Sequence, residues 1–170
     1  MLQLRSFTLD EFSTACQIKK IANDADREKY RTRFANSGEW DGHYLNCAID
    51  LEGVAVGELQ VRRCDQTMPP GTAEVGIELL PAFQGKGVGT QTMRVTTKKL
   101  FAEGFHRLSG STDVSNIGMQ RVFEKVGWQF EGIHRNFMPE PGERPHDYRV
   151  YAITKWDLIP GEGGVSDSNK

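Results

Sequence analysis

The chain has 170 residues, 38% of them apolar, and a formal net charge of −2; this suits one domain with a sizeable core and offers no global field for nucleic acid or an anionic membrane. No apolar run approaches the ~20 residues that span a bilayer, and Met1-Leu2-Gln3-Leu4-Arg5 lacks the apolar centre of a secretion signal. Cys16, Cys47 and Cys64 are scattered and odd in number, and His43, His106, His134 and His146 lie far apart, so neither a disulfide framework nor a metal is expected, and a reducing cytoplasm is.

In chain order, Leu2 to Phe7 alternates apolar and polar residues, as a half-buried strand does. Thr8, with Glu11 three residues on, predicts a capped helix start, and Leu9, Phe12, Cys16 and Ile18 give that helix an apolar side. A second, more charged helix is expected over 24–36. The loop 37–42 carries Trp40, which either packs or lines an acceptor site. Segments 44–51 and 54–61 read as strands joined by a hairpin turn at Glu52-Gly53. A polar loop with Pro69-Pro70 leads to a strand over 72–80, a helix over 89–102, a strand over 105–114 and a helix over 115–126. Strands over 128–138 and 148–155 follow, separated by a proline-rich loop. Residues 1–158 are expected to form one domain and 159–170 a disordered, glycine-rich tail. There is no internal repeat.

The stretch Gln84-Gly85-Lys86-Gly87-Val88-Gly89-Thr90 lies between the 72–80 strand and the helix that follows. Glycine admits positive φ and a close approach to the main chain, and a helix start presents unpaired N–H groups at the positive end of its dipole. The combination predicts a phosphate or pyrophosphate site. The spacing is not that of a nucleotide triphosphatase loop. A dinucleotide fingerprint would need glycine where Thr90 stands. What remains is Gln-x-x-Gly-x-Gly, at Gln84, Gly87 and Gly89, or a glycine turn that only caps the helix. Downstream, Asn116 opens a short helix ending in Glu124-Lys125-Val126-Gly127-Trp128, then Glu131-Gly132, and later Asp147-Tyr148-Arg149-Val150-Tyr151-Ala152.

These motifs resemble the GCN5-related N-acetyltransferases, in particular the branch that acetylates N-termini of ribosomal proteins together with many small-molecule acetyltransferases. The resemblance is specific from about Glu74 to Ile153; before residue 43 it is one of segment order. It implies an α/β fold with a mixed central sheet of about seven strands flanked by about four helices. It also implies acetyl-CoA as co-substrate, a primary amine as acceptor (a small molecule or a peptide N-terminus) and the possibility of a homodimer. Leu79 and Leu80 would pair with the pantetheine arm through their backbone, one N–H reaching the thioester carbonyl. Gln84, Gly85, Lys86, Gly87, Val88, Gly89 and Thr90 would hold the pyrophosphate. Asn116 would face the pantetheine arm, or cap its helix, and Phe123 would lie along the cofactor.

Acetyl transfer from a thioester needs a base, because a free alkyl amine has a pKa of roughly 10. Side chains alternate along a strand, so Glu74, Gly76 and Glu78 share one face. Glu78, nearer the glycine loop, is the favoured base over Glu74; Glu78 could instead only pair with Arg or Lys on a neighbouring strand. Many members of the family have Tyr where Phe123 stands, and the branch often has Ser where Met119 stands. Neither residue here can protonate a departing thiolate. Tyr148, Tyr151 and His134 remain as polar groups. The rival from another class is an acyl-CoA-binding module without activity; a nucleotide-binding reading would require NAD to bind instead.

Overall fold

In the computed structural model, residues 1–139 and 141–158 are described; the tail expected at 159–170 lies outside them. Strand β1 (Leu2–Arg5) leads through a 3-10 turn at Leu9–Glu11 into α1 (Phe12–Ile18) and then α2 (Asp24–Ala35). The start is the capping arrangement the sequence predicts: the Glu11 carboxylate accepts from the Thr8 N–H at 2.9 Å. A two-residue strand, β2 (Trp40–Asp41), interrupts the expected 37–42 loop and pairs with β3 (Tyr44–Leu51). Trp40 packs, with its ring 5.8 Å from that of Phe105 and under the Arg63 guanidinium.

The hairpin between β3 and β4 (Val54–Arg63) turns on Glu52 and Gly53, both left-handed at φ 57° and 89°, the twist that fits a two-residue hairpin. Then come β5 (Thr72–Leu79), α3 (Val88–Ala102), β6 (Arg107–Asp113), α4 (Ile117–Lys125), β7 (Gln129–Met138) and β8 (His146–Thr154). The strand order is β1-β3-β4-β5-β6-β8-β7, with β2 on β3. All pairs are antiparallel except β5 with β6, the pair that α3 bridges.

Alternation sorts the sheet into two faces. Leu45, Leu59, Val61 and Val75 meet Met93 and Leu100 of α3 and Phe123 of α4 in the larger core. Ala48 and Ala55 meet Cys16, Ile18, Tyr30 and Phe34 of α1 and α2 in the smaller one. Among the described residues no helix is long and apolar enough to cross a membrane.

The sheet parts between β5 and β6. Their ladder holds only from Thr72↔Arg107 to Glu74↔Ser109, although β5 continues to Leu79 and β6 to Asp113. At the point of parting, a Cβ on Gly110 would stand 2.9 Å from both the Val75 carbonyl oxygen and Cζ of Phe123. Only glycine lets the strand run past that ring.

Candidate active site

The opening between β5 and β6 leaves strand backbone without a strand partner. The Leu80 N–H donates to the Val56 carbonyl on the β4 side at 2.9 Å. Because strand backbone groups alternate sides, those of Val75, Ile77 and Leu79 point the other way, toward the gap. The Leu79 N–H therefore faces the gap. That of Leu80, expected there too, does not: it is held inside the sheet, and the Leu80 side chain packs against the smaller core.

The glycine loop closes the end of this gap. Gly85 and Gly87 are left-handed, at φ 70° and 83°, conformations a side chain disfavours. Gly87 caps α3, and the first amide to find a helical carbonyl is that of Gln91, on Gly87 at 3.0 Å. The N–H groups of Val88, Gly89 and Thr90 thus form the open first turn, with the positive end of the helix dipole behind them. Gln84 anchors the loop, its amide donating to the Leu79 carbonyl at 3.0 Å.

A cavity of about 360 Å³ runs along this surface, lined by Ile77, Leu79 and the loop on one side and by α4 on the other. Of the predicted residues, Leu79, Gln84, Gly85, Gly87, Gly89, Thr90 and Asn116 line it. Asn116 also realises the capping alternative, its Oδ1 accepting from the Met119 N–H at 3.1 Å. Val88 contributes backbone only, since its side chain is in the core. The ammonium of Lys86 lies 5.9 Å from the Phe83 ring centroid, outside the lining.

Phe123 is a correction. It is 1% exposed, stacked on Tyr151 at 5.0 Å and tilted against Trp128 at 5.1 Å, and does not reach the cavity. Tyr151 is likewise buried, and His134 lies against Phe137. Two cations missed in the sequence, Arg121 and Lys125, line the α4 wall. They stand four apart on one helix face, a spacing visible in the sequence once that helix is known to flank the loop.

On the opposite face of the sheet lies an acid cluster. Glu78 is 43% exposed and accepts from the Lys19 ammonium at 2.5 Å. Glu58 is its direct cross-strand partner and is 2% exposed. The Tyr30 hydroxyl donates to one Glu58 oxygen; the other, Oε1, is buried without a hydrogen-bond partner among the described residues. Burial pushes the Glu58 carboxyl above the ordinary carboxylate range, against the opposing effects of the Tyr30 hydrogen bond and the Lys19 charge. Glu74 is elsewhere, paired with Arg62, four residues and so about 13 Å along the strand from Glu78. Glu58 was legible by the same signal as Glu78, an acid inside the apolar run Ala55-Val56-Gly57-Glu58-Leu59. No group of three or more metal-ligating side chains forms among the described residues.

The family described as the acetyltransferase (GNAT) domain matches residues 2–129. The probable N-acetyltransferase YjcK of Bacillus subtilis is 36% identical over 87 residues, which is 51% of this chain and 48% of that protein. This chain spans about half the length of the curated relatives it matches. Its fold is similar to that of Mycobacterium smegmatis RimJ in complex with a CoA disulfide (TM-score 0.74, 19% identity, 92% of this chain and 83% of that one). It is also similar to mutant forms of the spermidine/spermine N-acetyltransferase SpeG from Vibrio cholerae (TM-score 0.73, 18% identity, 91% and 95%).

Proposed function

The chain belongs to the GNAT acetyltransferase family, and from that premise we propose that it is an acetyl-CoA-dependent N-acetyltransferase acting on a primary amine by direct attack in a ternary complex. One observation supports this most: the sheet opens beside a glycine-lined helix start, and an acid stands one residue from that opening on the other face. Bound acetyl-CoA supplies an acetyl group already activated as a thioester. The amides of Val88, Gly89 and Thr90 fit a pyrophosphate, and Arg121 and Lys125 bring positive charge to the same wall. The Leu79 N–H, on the gap side, suits the developing oxyanion, a contact worth ~3 kcal/mol when preorganised.

Glu78 takes the proton from the acceptor. It is open to water on the sheet face opposite Ile77 and Leu79, so an amine can approach from the side away from the cavity. Phe123 and Met119 offer no proton, so the thiolate leaves without a side-chain acid, which its parent thiol pKa of about 8.5 tolerates. Solved structures of similar fold include a ribosomal L7/L12 α-N-protein acetyltransferase, RimL, and a spermidine/spermine N-acetyltransferase, SpeG; the acceptor of this chain is proposed only as a primary amine, on a small molecule or a peptide N-terminus.

The test is Glu78→Gln. The variant should bind acetyl-CoA as the wild type does, by calorimetry, and lose ~10²–10⁴-fold in kcat/KM toward an accepted amine. Unchanged turnover would remove Glu78 as the base. Binding without turnover in the wild type, across both amine classes, would favour the acyl-CoA-binding module.

A further inference from the structure

Lys19 is the member of the acid cluster that transfer to an outside amine does not use. It caps α1, which ends in a turn with the Ile21 N–H on the Cys16 carbonyl at 2.9 Å and Lys20 left-handed at φ 55°. That conformation normally falls to glycine. The turn packs Ile21 on the smaller core and sends Lys19 across the sheet to Glu78, Nζ to Oε1 at 2.5 Å. Lys19 is mostly withdrawn from water while Glu78 is half-exposed, and an ion pair open to water adds little stability.

The group resting on the proposed base is itself a primary alkyl amine on a flexible stem, the chemical class of the acceptor. Glu58, opposite Glu78, faces the same ammonium and adds a second acid beside it. We propose that Lys19 is an internal acceptor, acetylated on Nζ by the chain's own acetyl-CoA; this rests on the acetyltransferase reading above. In the step, Glu78 takes a proton from Nζ, and the freed lone pair attacks the acetyl carbonyl carbon. The N–C bond forms, the C–S bond breaks and the electron pair leaves on sulfur, which water protonates; Glu78 passes its first proton to solvent and then takes the second proton left on Nζ after N–C bond formation, so the ammonium loses two protons in all. Lys19 becomes a neutral amide, the ion pair is lost, and Glu78 is free for outside amines.

The protein is incubated with acetyl-CoA and no other amine, and acetyl groups are located by peptide mass spectrometry. The expected result is one acetyl group on Lys19, formed at a rate independent of protein concentration and ~10²-fold slower in Glu78→Gln. A cofactor-free readout accompanies it: reductive methylation should be slow at Lys19 relative to exposed lysines and faster there in Glu78→Gln. Absence of acetyl on Lys19, or acetylation spread over exposed lysines in proportion to protein concentration, would overturn the proposal. So would equal methylation of Lys19 and exposed lysines in both proteins. Acetyl transfer to added amines, assayed on the same sample, separates the two failures. If outside amines are acetylated and Lys19 is not, only the internal-acceptor proposal falls.

Discussion

Glu58 is an acid placed where burial opposes its charge. Its carboxyl is raised, with burial the largest cause, so the folded chain holds this proton more tightly than the unfolded chain. On this group's account, stability is complete below the ordinary value of 4.5 and falls as pH rises toward the folded value. Glu58→Gln removes that loss, so the variant should gain stability relative to wild type between about pH 4 and about pH 8, as urea unfolding at the two pH values would show. Glu11 has the opposite sign. The Arg5 guanidinium holds its carboxyl down at about 2, so its contribution is present above 4.5 and is lost as pH falls toward 2. Glu11→Gln should shrink the difference in melting temperature between neutral and acid solution. Glu78 could be found in the sequence because it lies near a recognisable loop. Glu58 could not be ranked with it, because its partner strand and the covering Tyr30 are set by register and by a helix 28 residues away.

Among the elements, the opening between β5 and β6 depends on three residues from separate segments: Gly110, Phe123 and Val75. Gly110→Ala should cost about 1–3 kcal/mol by overpacking against the Phe123 ring, and Phe123→Ala about 3–5 kcal/mol by leaving a cavity between Tyr151 and Trp128. Chemical unfolding checks both. Gly87→Ala forces a side chain into φ 83°, costing about 1–2 kcal/mol, and should weaken acetyl-CoA binding in calorimetry because the helix start must shift. The elements themselves were legible, with boundaries a residue or two from those predicted, because periodicity and turn residues are local signals. Phe123 was misplaced for a matching reason. A motif position fixes where a residue lies on the chain, whereas the face α4 turns to the cavity depends on how it seats against Tyr151 and Trp128.

For the whole molecule, the two cores lie on opposite faces of one sheet, and the proposed chemistry crosses it where it parts, with the cofactor cradle on the α3 and α4 side and the acids on the α1 and α2 side. Thiol reactivity should follow the same layering. Cys16 and Cys47 are buried, and burial pushes the Cys47 thiol up to about 11, so in the folded protein Cys64 alone should react readily with a thiol reagent and all three after unfolding. The mixed sheet was legible from the order of segments. That the acids and the glycine-loop cavity lie on separate faces was not, because it depends on which side each helix packs. The most direct measurement is thiol release from acetyl-CoA with two amine pools, N-terminal peptides and small amines. An N-acetyltransferase with Glu78 as its base gives release that depends on one pool and falls ~10²-fold or more in Glu78→Gln. Release no greater than the acceptor-free background with either pool, while acetyl-CoA is bound, would contradict that reading.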